Sequence, residues 1–271
     1  MRRISLIALT AFSLSGILSC KKLILEDRRE CVMDFHLELD TPYPQDVKDD
    51  FHLTSWVDGK EYEYWTFSLS DFLSGDVKVE LIKQYTSWLS IVCGWPEDME
   101  WHLSGKLNIP SGKQAPYAFA YYCEPMTTFY DESFITIRMY SLSVPVTVYS
   151  NTNSEDAFIT FTAEYDGYTY PKMQPTEGEF RYRTLLENGK TIYVPRLDYV
   201  SPDFQMTLEN GNDTYRCDIG WDLRECGYDM AGNIQKPVSL IVNYARGKPY
   251  SVTVTSENHK ATIPFQSKDD S

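Results

Sequence analysis

Four histidines are all that this chain offers for imidazole chemistry: His36, His52, His102 and His259. An imidazole becomes a useful base when a Ser or Cys nucleophile lies within reach and a third group orients it. His36 falls on the polar side of an alternating segment, His52 sits between Phe51 and Leu53, His102 follows Trp101, and His259 lies in a polar terminal stretch. None accompanies a nucleophile motif such as G-x-S-x-G, and the chain contains no H-E-x-x-H, P-loop or G-x-G-x-x-G pattern. Each histidine reads as a surface or internally satisfied side chain. Paired acids are the second route to catalysis, and Glu97, Asp98 and Glu100 cluster around Met99. Glycoside hydrolysis needs two carboxyl groups opposed across a cleft, which closeness in sequence does not provide, so this cluster reads as a solvated loop after Pro96. Asp203, Asn210, Asn212 and Asp213 offer oxygen ligands to Ca²⁺, but the regular D-x-D-x-D-G spacing is missing and a hairpin turn is the better reading. No catalytic residue, metal-ligand set or cofactor is expected, and the chain does not read as an enzyme.

The aromatic residues suggest binding instead. Trp88, Trp95 and Trp101 fall within 14 residues, with Tyr121 and Tyr122 further on. Exposed rings stack on sugars, which makes a glycan one candidate partner. The same residues also suit a core, because Trp88 lies in a largely apolar stretch and β-sandwiches often bury a Trp. Tyr62, Tyr64 and Trp65 share a hairpin arm with Glu61 and Glu63, where alternate residues face solvent.

The N-terminus carries a clearer message. Arg2 and Arg3 precede an apolar and small-residue run, Ile4 to Leu18. Those 15 positions fall short of the roughly 20 that a membrane-spanning helix needs, and fit the h-region of a secretory signal. The run ends Ile17-Leu18-Ser19-Cys20, which resembles the bacterial lipobox. Cys20 is therefore expected to be acylated and to become the first mature residue. Acyl chains contribute about 0.8 kcal/mol per buried CH₂, so a multiply acylated Cys holds firmly to a bilayer. Residues 1–19 read as the signal peptide, and residues 20–30 as a polar, charged tether. The expected location is the cell surface, at the outer membrane.

The whole chain has a formal net charge of −14, from 25 Lys and Arg against 39 Asp and Glu. Removing residues 1–19 takes away two Arg and no acid and leaves −16. So acidic a body repels phosphates, which argues against nucleic acid as a partner and predicts that the body stands off an anionic membrane surface. Of six Cys, five remain once Cys20 is assigned to lipid, so at least one thiol has no partner within the chain. An exported chain can form disulfides. Cys217 with Cys226 is the favoured pair, closing a loop of eight residues, and Cys93 with Cys123 is the next; the alternative is that some are small buried hydrophobes.

Elements predicted from periodicity are strands. Met33, Phe35, Leu37 and Leu39 alternate with polar residues, and so do Val77, Val79 and Leu81; Ile135, Ile137 and Met139; Val144, Val146 and Val148; Ile159, Phe161 and Ala163; and Val238, Leu240, Val242 and Tyr244. Asp58-Gly59, Asp166-Gly167, Asn188-Gly189 and Asn210-Gly211 supply the positive φ of tight hairpins. No dozen residues show a 3.6 period, and Ser68–Gly75 has room for one helical turn, stopped by Gly75. Aromatics at 14% also favour pleated surfaces. Short strands over about 240 residues exceed one seven-stranded sandwich. The expected fold is all-β, with two tandem β-sandwich domains at residues 31–142 and 143–271.

Cys20, the charged run Glu26-Asp27-Arg28-Arg29-Glu30, Cys31 and the strand from Val32 to Leu39 form a front end that resembles the fimbrillin-associated anchor lipoproteins of Bacteroidales. The resemblance implies transthyretin-like, fimbrillin-like sandwiches. It also implies a lipoprotein that anchors a fimbria or forms a minor part of it, with pilin subunits as partners. The implied mechanism is strand complementation, in which an incomplete sandwich accepts an extended segment from a neighbour. The segment Ala261-Thr262-Ile263-Pro264-Phe265 is the candidate donor strand, or else the last strand of the second sandwich.

Overall fold

The computed structural model describes residues 32–39, 49–75, 77–96, 105–127, 129–151, 157–197 and 203–267. Cys20, the tether, Cys31, Trp101, His102 and the Glu97–Glu100 cluster lie outside these. The described residues are mostly strand, and the fold is all-β.

The first part of the chain forms β1 (Val32–Leu39), β2 (Phe51–Val57), β3 (Lys60–Phe67), the short helix α1 (Leu69–Ser74), β4 (Lys78–Ile82), β5 (Ser87–Cys93), β6 (Lys106–Asn108), β7 (Phe119–Tyr122), β8 (Glu132–Ile137) and β9 (Tyr140–Ser141). A three-stranded sheet, in the order β4-β1-β8, lies against a five-stranded one, β3-β2-β5-β7-β9. β1 runs antiparallel to β4 and parallel to β8. The apolar residues of the alternating pattern meet between the layers. Phe35, Leu37, Val79, Leu81 and Ile137 pack there with Phe51, Leu53, Leu89, Ile91 and Phe119. Full burial of each such side chain is worth about 1.5–3 kcal/mol. Helix α1 closes one end of this core. Ser68 caps it reciprocally with Asp71, Gly75 ends it at φ 76°, and Phe72 packs on Phe51 at 4.8 Å between ring centroids.

The second part forms β10 (Ser143–Ser150), β11 (Ala157–Ala163), β12 (Gly167–Thr169), β13 (Phe180–Leu185), β14 (Lys190–Pro195), β15 (Phe204–Asn210), β16 (Asp213–Asp218), helix α2 (Ile219–Glu225), β17 (Val238–Ala245), β18 (Lys248–Ser256), β19 (His259–Pro264) and β20 (Gln266–Ser267). Two five-stranded sheets result, β14-β10-β17-β18-β19 and β13-β11-β15-β16-β20. Val144, Val146, Val148, Leu240 and Val252 meet Ile159, Phe161, Phe204 and Met206 between them.

Of the four turns expected to be hairpins, two are and two are not. Asp58 and Gly59 both adopt positive φ, as a tight β2–β3 hairpin requires, and Asn210-Gly211 joins β15 to β16. Asn188-Gly189 does not make a hairpin: β13 pairs with β11 and β14 with β10, so the turn carries the chain from one sheet to the other. Asp166-Gly167 is not a hairpin turn either. Gly167 opens β12, which pairs with β6, and a Cβ there would fall on the Leu107 carbonyl. Helix α2 was not visible in the periodicity because only Ile219 and Leu223 mark its buried face and seven residues are too few to show a period.

The β6–β12 pair is one feature that ties the two parts together. Another is the outer face of the five-stranded sheet of the first part. His52, Thr54, Ser90, Val92 and Ala120 on that face are buried, and Val92 and Ala120 belong to the core of the second part. Tyr170 reaches this face from the chain just after β12. Its hydroxyl donates to Thr54 Oγ1 and accepts from Ser90 Oγ at 3.0 Å, while Trp56 Nε1 donates to Ser90 Oγ at 2.9 Å. Trp56 and Tyr170 meet edge-on at 5.5 Å. Nearby, Tyr168 donates to the Leu142 carbonyl and accepts from Arg196 N, and the Arg196 guanidinium bonds carbonyls of Ser141, Gly232 and Asn233.

Removing the Tyr170 hydroxyl strips buried Thr54 and Ser90 of a partner. Tyr170→Phe is expected to cost about 1–3 kcal/mol, read as a lower thermal midpoint by circular dichroism. An unchanged midpoint would show that the junction does not depend on this hydroxyl.

Candidate functional site

The residues singled out for chemistry are dispersed by the fold. His36 lies on the outer face of the three-stranded sheet, stacked on Phe134 with ring centroids 4.6 Å apart. His52 is buried on β2, where its Nδ1 meets the Tyr64 hydroxyl across the hairpin. His259 begins β19 and lies beside Gly227. Among the described residues, no group of three or more His, Cys, Asp or Glu side chains is arranged to hold a metal ion. Asp203 precedes β15, whereas Asn210 and Asp213 sit at its far end across the hairpin. These oxygens therefore do not converge.

Neither expected disulfide is present: none of Cys93, Cys123, Cys217 and Cys226 is bridged. The reasons are geometric. In the β5–β7 ladder Cys93 pairs with Phe119, and the amide of Cys123 donates to the Leu89 carbonyl, four residues from Cys93. Four strand positions span roughly 13 Å, while bridged Cα atoms lie within about 7 Å. Cys217 and Cys226 flank helix α2, where a tight reversal was expected, and at 1.5 Å per residue the helix holds them about 12 Å apart. Burial pushes the Cys217 thiol up to about 12. Cys93, Cys123 and Cys217 act as small buried hydrophobes.

Most of the predicted aromatic platform is structural. Trp95 is buried against the edge of Tyr168. Trp88 is half-buried and stacks on Trp56, with centroids 6.3 Å apart and planes 5° from parallel. Tyr121 and Tyr122 are half-buried, and burial raises both hydroxyl pKa values. Tyr62 and Tyr64 are exposed on β3, as alternate positions of that hairpin arm suggest.

Three carboxyl groups near α2 share one electrostatic condition. Burial raises Asp203, opposed by the Gln205 amide and reinforced by Glu164; burial also raises Asp218 and Asp222. As pH rises above the ordinary Asp value of 3.8, these three sites therefore hold more protons in the folded state than in the unfolded chain. This contribution favours the fold most at acid pH and declines as pH rises through the raised values. Asp203→Asn is expected to raise the thermal midpoint at neutral pH and to flatten this site's contribution to its fall as pH rises above the ordinary Asp value. Melts of both proteins over that rise in pH check this, and an equal slope in both would refute it.

The arrangement with most capacity for recognition is a sheet edge. Three strands face five, and among the described residues β8 pairs with β1 alone. Asp34 N donates to the Asp131 carbonyl and Asp34 lies opposite Glu132, so the amides of Glu132, Phe134 and Thr136 point away from β1. The inward-facing Ser133 and Ile135 are only half-buried, unlike Val79 and Leu81 on the opposite edge strand, which are fully covered. An extended segment laid beside β8 would gain main-chain hydrogen bonds and cover Ile135. The expected donor segment is engaged elsewhere. Ala261–Pro264 lies in β19, paired with β18, with Ile263 buried, and Phe265 packs on Tyr215 as the chain crosses to β20. It is a strand of its own sandwich, followed by the short β20.

No protein-family model matches the chain, and a search of curated proteins finds no match either. Solved structures do match. A candidate adhesin from Bacteroides thetaiotaomicron superposes with a TM-score of 0.61 at 11% identity, covering 87% of this chain and 98% of that one. The fimbrial anchor protein Mfa2 from Porphyromonas gingivalis gives 0.60 at 10% identity, covering 87% and 100%. A candidate polysaccharide-binding protein, also from B. thetaiotaomicron, gives 0.60 at 8% identity, covering 89% and 100%. The chain shares the fold of these adhesin, fimbrial-anchor and polysaccharide-binding proteins over nearly their whole length. Among the described residues no helix is long and apolar enough to cross a membrane.

Proposed function

We propose that this chain is a non-enzymatic outer-membrane lipoprotein, acylated at Cys20 and displayed at the cell surface, that anchors a fimbria or forms a minor part of it. Its partners in this reading are pilin subunits on one side and the outer membrane, through the lipid, on the other. Residues 31–142 and 143–271 form its two sandwiches. The observation that carries the reading is the open β8 edge on a sheet of three strands facing five. That edge makes the first sandwich an acceptor for a neighbour's strand. The fold shared with a fimbrial anchor protein supports it, as do the lipobox and tether in the sequence. Because Ala261–Phe265 is taken up by its own sheet, the role assigned to this chain is acceptor at β8.

Two experiments test this. The protein is purified from its native membrane in mild detergent and its companions are identified by mass spectrometry, with Cys20→Ala in parallel. Pilin subunits are expected with the wild type, and fimbriae shed into the medium with the variant. A protein recovered alone, with fimbriae unchanged, would sink the anchor reading. Thr136→Pro removes an outward amide from the β8 edge, a position where proline is tolerated. It is expected to lower pilin recovery at least about tenfold while leaving the thermal midpoint nearly unchanged. Undiminished recovery would exclude strand addition at β8.

A surface glycan-binding role is the second reading, favoured by the likeness to a candidate polysaccharide-binding protein and by the exposure of Tyr62 and Tyr64. It moves to the front if the native protein comes away without pilins.

A further inference from the structure

Besides Phe134 on β8 and Tyr250 on β18, 75% and 55% exposed, three more aromatic rings that the sequence did not single out are more than half exposed among the described residues. Phe129 and Tyr130 are 72% and 75% exposed, and Tyr85 is 51% exposed. Strand register places all three at one end of the first sandwich. β1 and β8 are parallel, with Asp34 opposite Glu132, so the start of β1 lies beside the residues just before β8, Phe129 to Asp131. β4 is antiparallel to β1, with Val32 opposite Ile82, so the turn after β4, residues 83–86, reaches the same end. Lys83 pairs there with Asp131. The tip of the β2–β3 hairpin joins them, since Asp58 N donates to the Thr86 carbonyl at 2.9 Å.

Two properties of this end bear on what it meets. Its three segments, residues 58–60, 83–86 and 129–131, carry two cations, Lys60 and Lys83, against two anions, Asp58 and Asp131. These segments carry no net charge in a chain of net −14, with Glu61 and Glu132 directly adjoining them. This is also the end at which β1 begins, and β1 begins twelve residues after Cys20. Twelve residues reach at most about 40 Å. A body held by a lipid on Cys20 therefore hangs from this end, with exposed rings turned toward the membrane. Tyr and Phe side chains sit well at the headgroup level, where an apolar body and a polar tip are both satisfied.

We infer that Tyr85, Phe129 and Tyr130 form a membrane-contact surface that seats the first sandwich on the lipid bilayer. The inference rests on acylation at Cys20, and goes beyond it by fixing which end of the body touches lipid. It replaces the expectation that net charge alone keeps the whole body off the membrane: repulsion acts on the acidic bulk, while the aromatic segments, with no net charge, face the headgroups. A fixed end would orient β8 and its open edge relative to the membrane rather than leave them to swing on the tether.

The test uses the full lipidated chain, purified in mild detergent from the bacterium that makes it and reconstituted into phosphatidylcholine vesicles. Flotation of the wild type and of Cys20→Ala reads the anchor alone. Brominated phosphatidylcholine then reads depth, through the tryptophan emission added by Phe129→Trp or, as a control on the second sandwich, by Tyr149→Trp. Both positions are exposed, so neither substitution threatens the fold. The wild type is expected to float and Cys20→Ala to remain behind. Quenching of the added emission is expected to be at least about twofold stronger at position 129 than at 149. Flotation with equal or no quenching at the two positions would overturn the membrane-contact surface and leave the anchor standing. A wild type that fails to float would overturn both.

Discussion

The hydroxyl of Tyr170 sits where two sandwiches become one body. It is shared with Thr54 and Ser90 on a sheet face that would otherwise be solvated. Because that face is covered, β2 is buried on both sides from Phe51 to Ser55 and β5 over nearly its whole length. Polar side chains on such a face need partners inside the protein. Tyr170 and the Trp56 indole satisfy Thr54 and Ser90, and the Tyr64 hydroxyl meets His52. The layered order of the molecule follows from this burial: a three-stranded sheet outside, a doubly covered five-stranded sheet in the middle, and the second sandwich beyond.

That order leaves one side of the first sandwich unprotected. The middle sheet is stabilised from both faces, whereas the three-stranded sheet is held only through its inner face and ends at β8. Edge strands expose unpaired main-chain groups, and proteins usually blunt them. Here Glu132 lies outward on the edge, but Phe134 is exposed and stacked on His36, and Ile135 is only half-covered. An edge of this kind suits a partner strand better than solvent. The second sandwich is closed differently, since the C-terminal chain pairs along one sheet as β19 and reaches the other as β20. The two sandwiches share an architecture, and the sheets of both end in edge strands, β8 in the first and β13, β14 and β19 in the second among them.

Much of the strand content was legible because half-buried strands alternate. β1, β4, β10, β11 and β17 all announce themselves through apolar residues two apart. The doubly buried segments were harder, because Phe51–Val57 and Ser87–Cys93 do not alternate cleanly and their polar residues look like surface. Pairing was harder still. Asn188-Gly189 has the chemistry of a hairpin turn but joins two sheets, and Cys217 and Cys226 look close along the chain until a capped helix separates them. Turn chemistry specifies local φ and ψ, and only packing decides which strand lies alongside which. The β8 edge was not legible for the same reason: nothing in Glu132–Ile137 says that one of its sides will have no neighbour.

The sequence by itself determined that the chain is strand-built and acidic, that it begins with a lipoprotein-like signal, and that it lacks any recognisable catalytic or metal motif. These follow from composition and short-range spacing, which survive in an unfolded chain. Tertiary structure alone decided that Tyr170 would bind Thr54 and Ser90, that four cysteines would remain thiols, that β8 would lie at an edge, and that Tyr85, Phe129 and Tyr130 would gather where β1 begins. Each of these depends on contacts between residues distant along the chain. Such contacts are set by which apolar faces bury one another, a choice made by the whole core and not by any one segment.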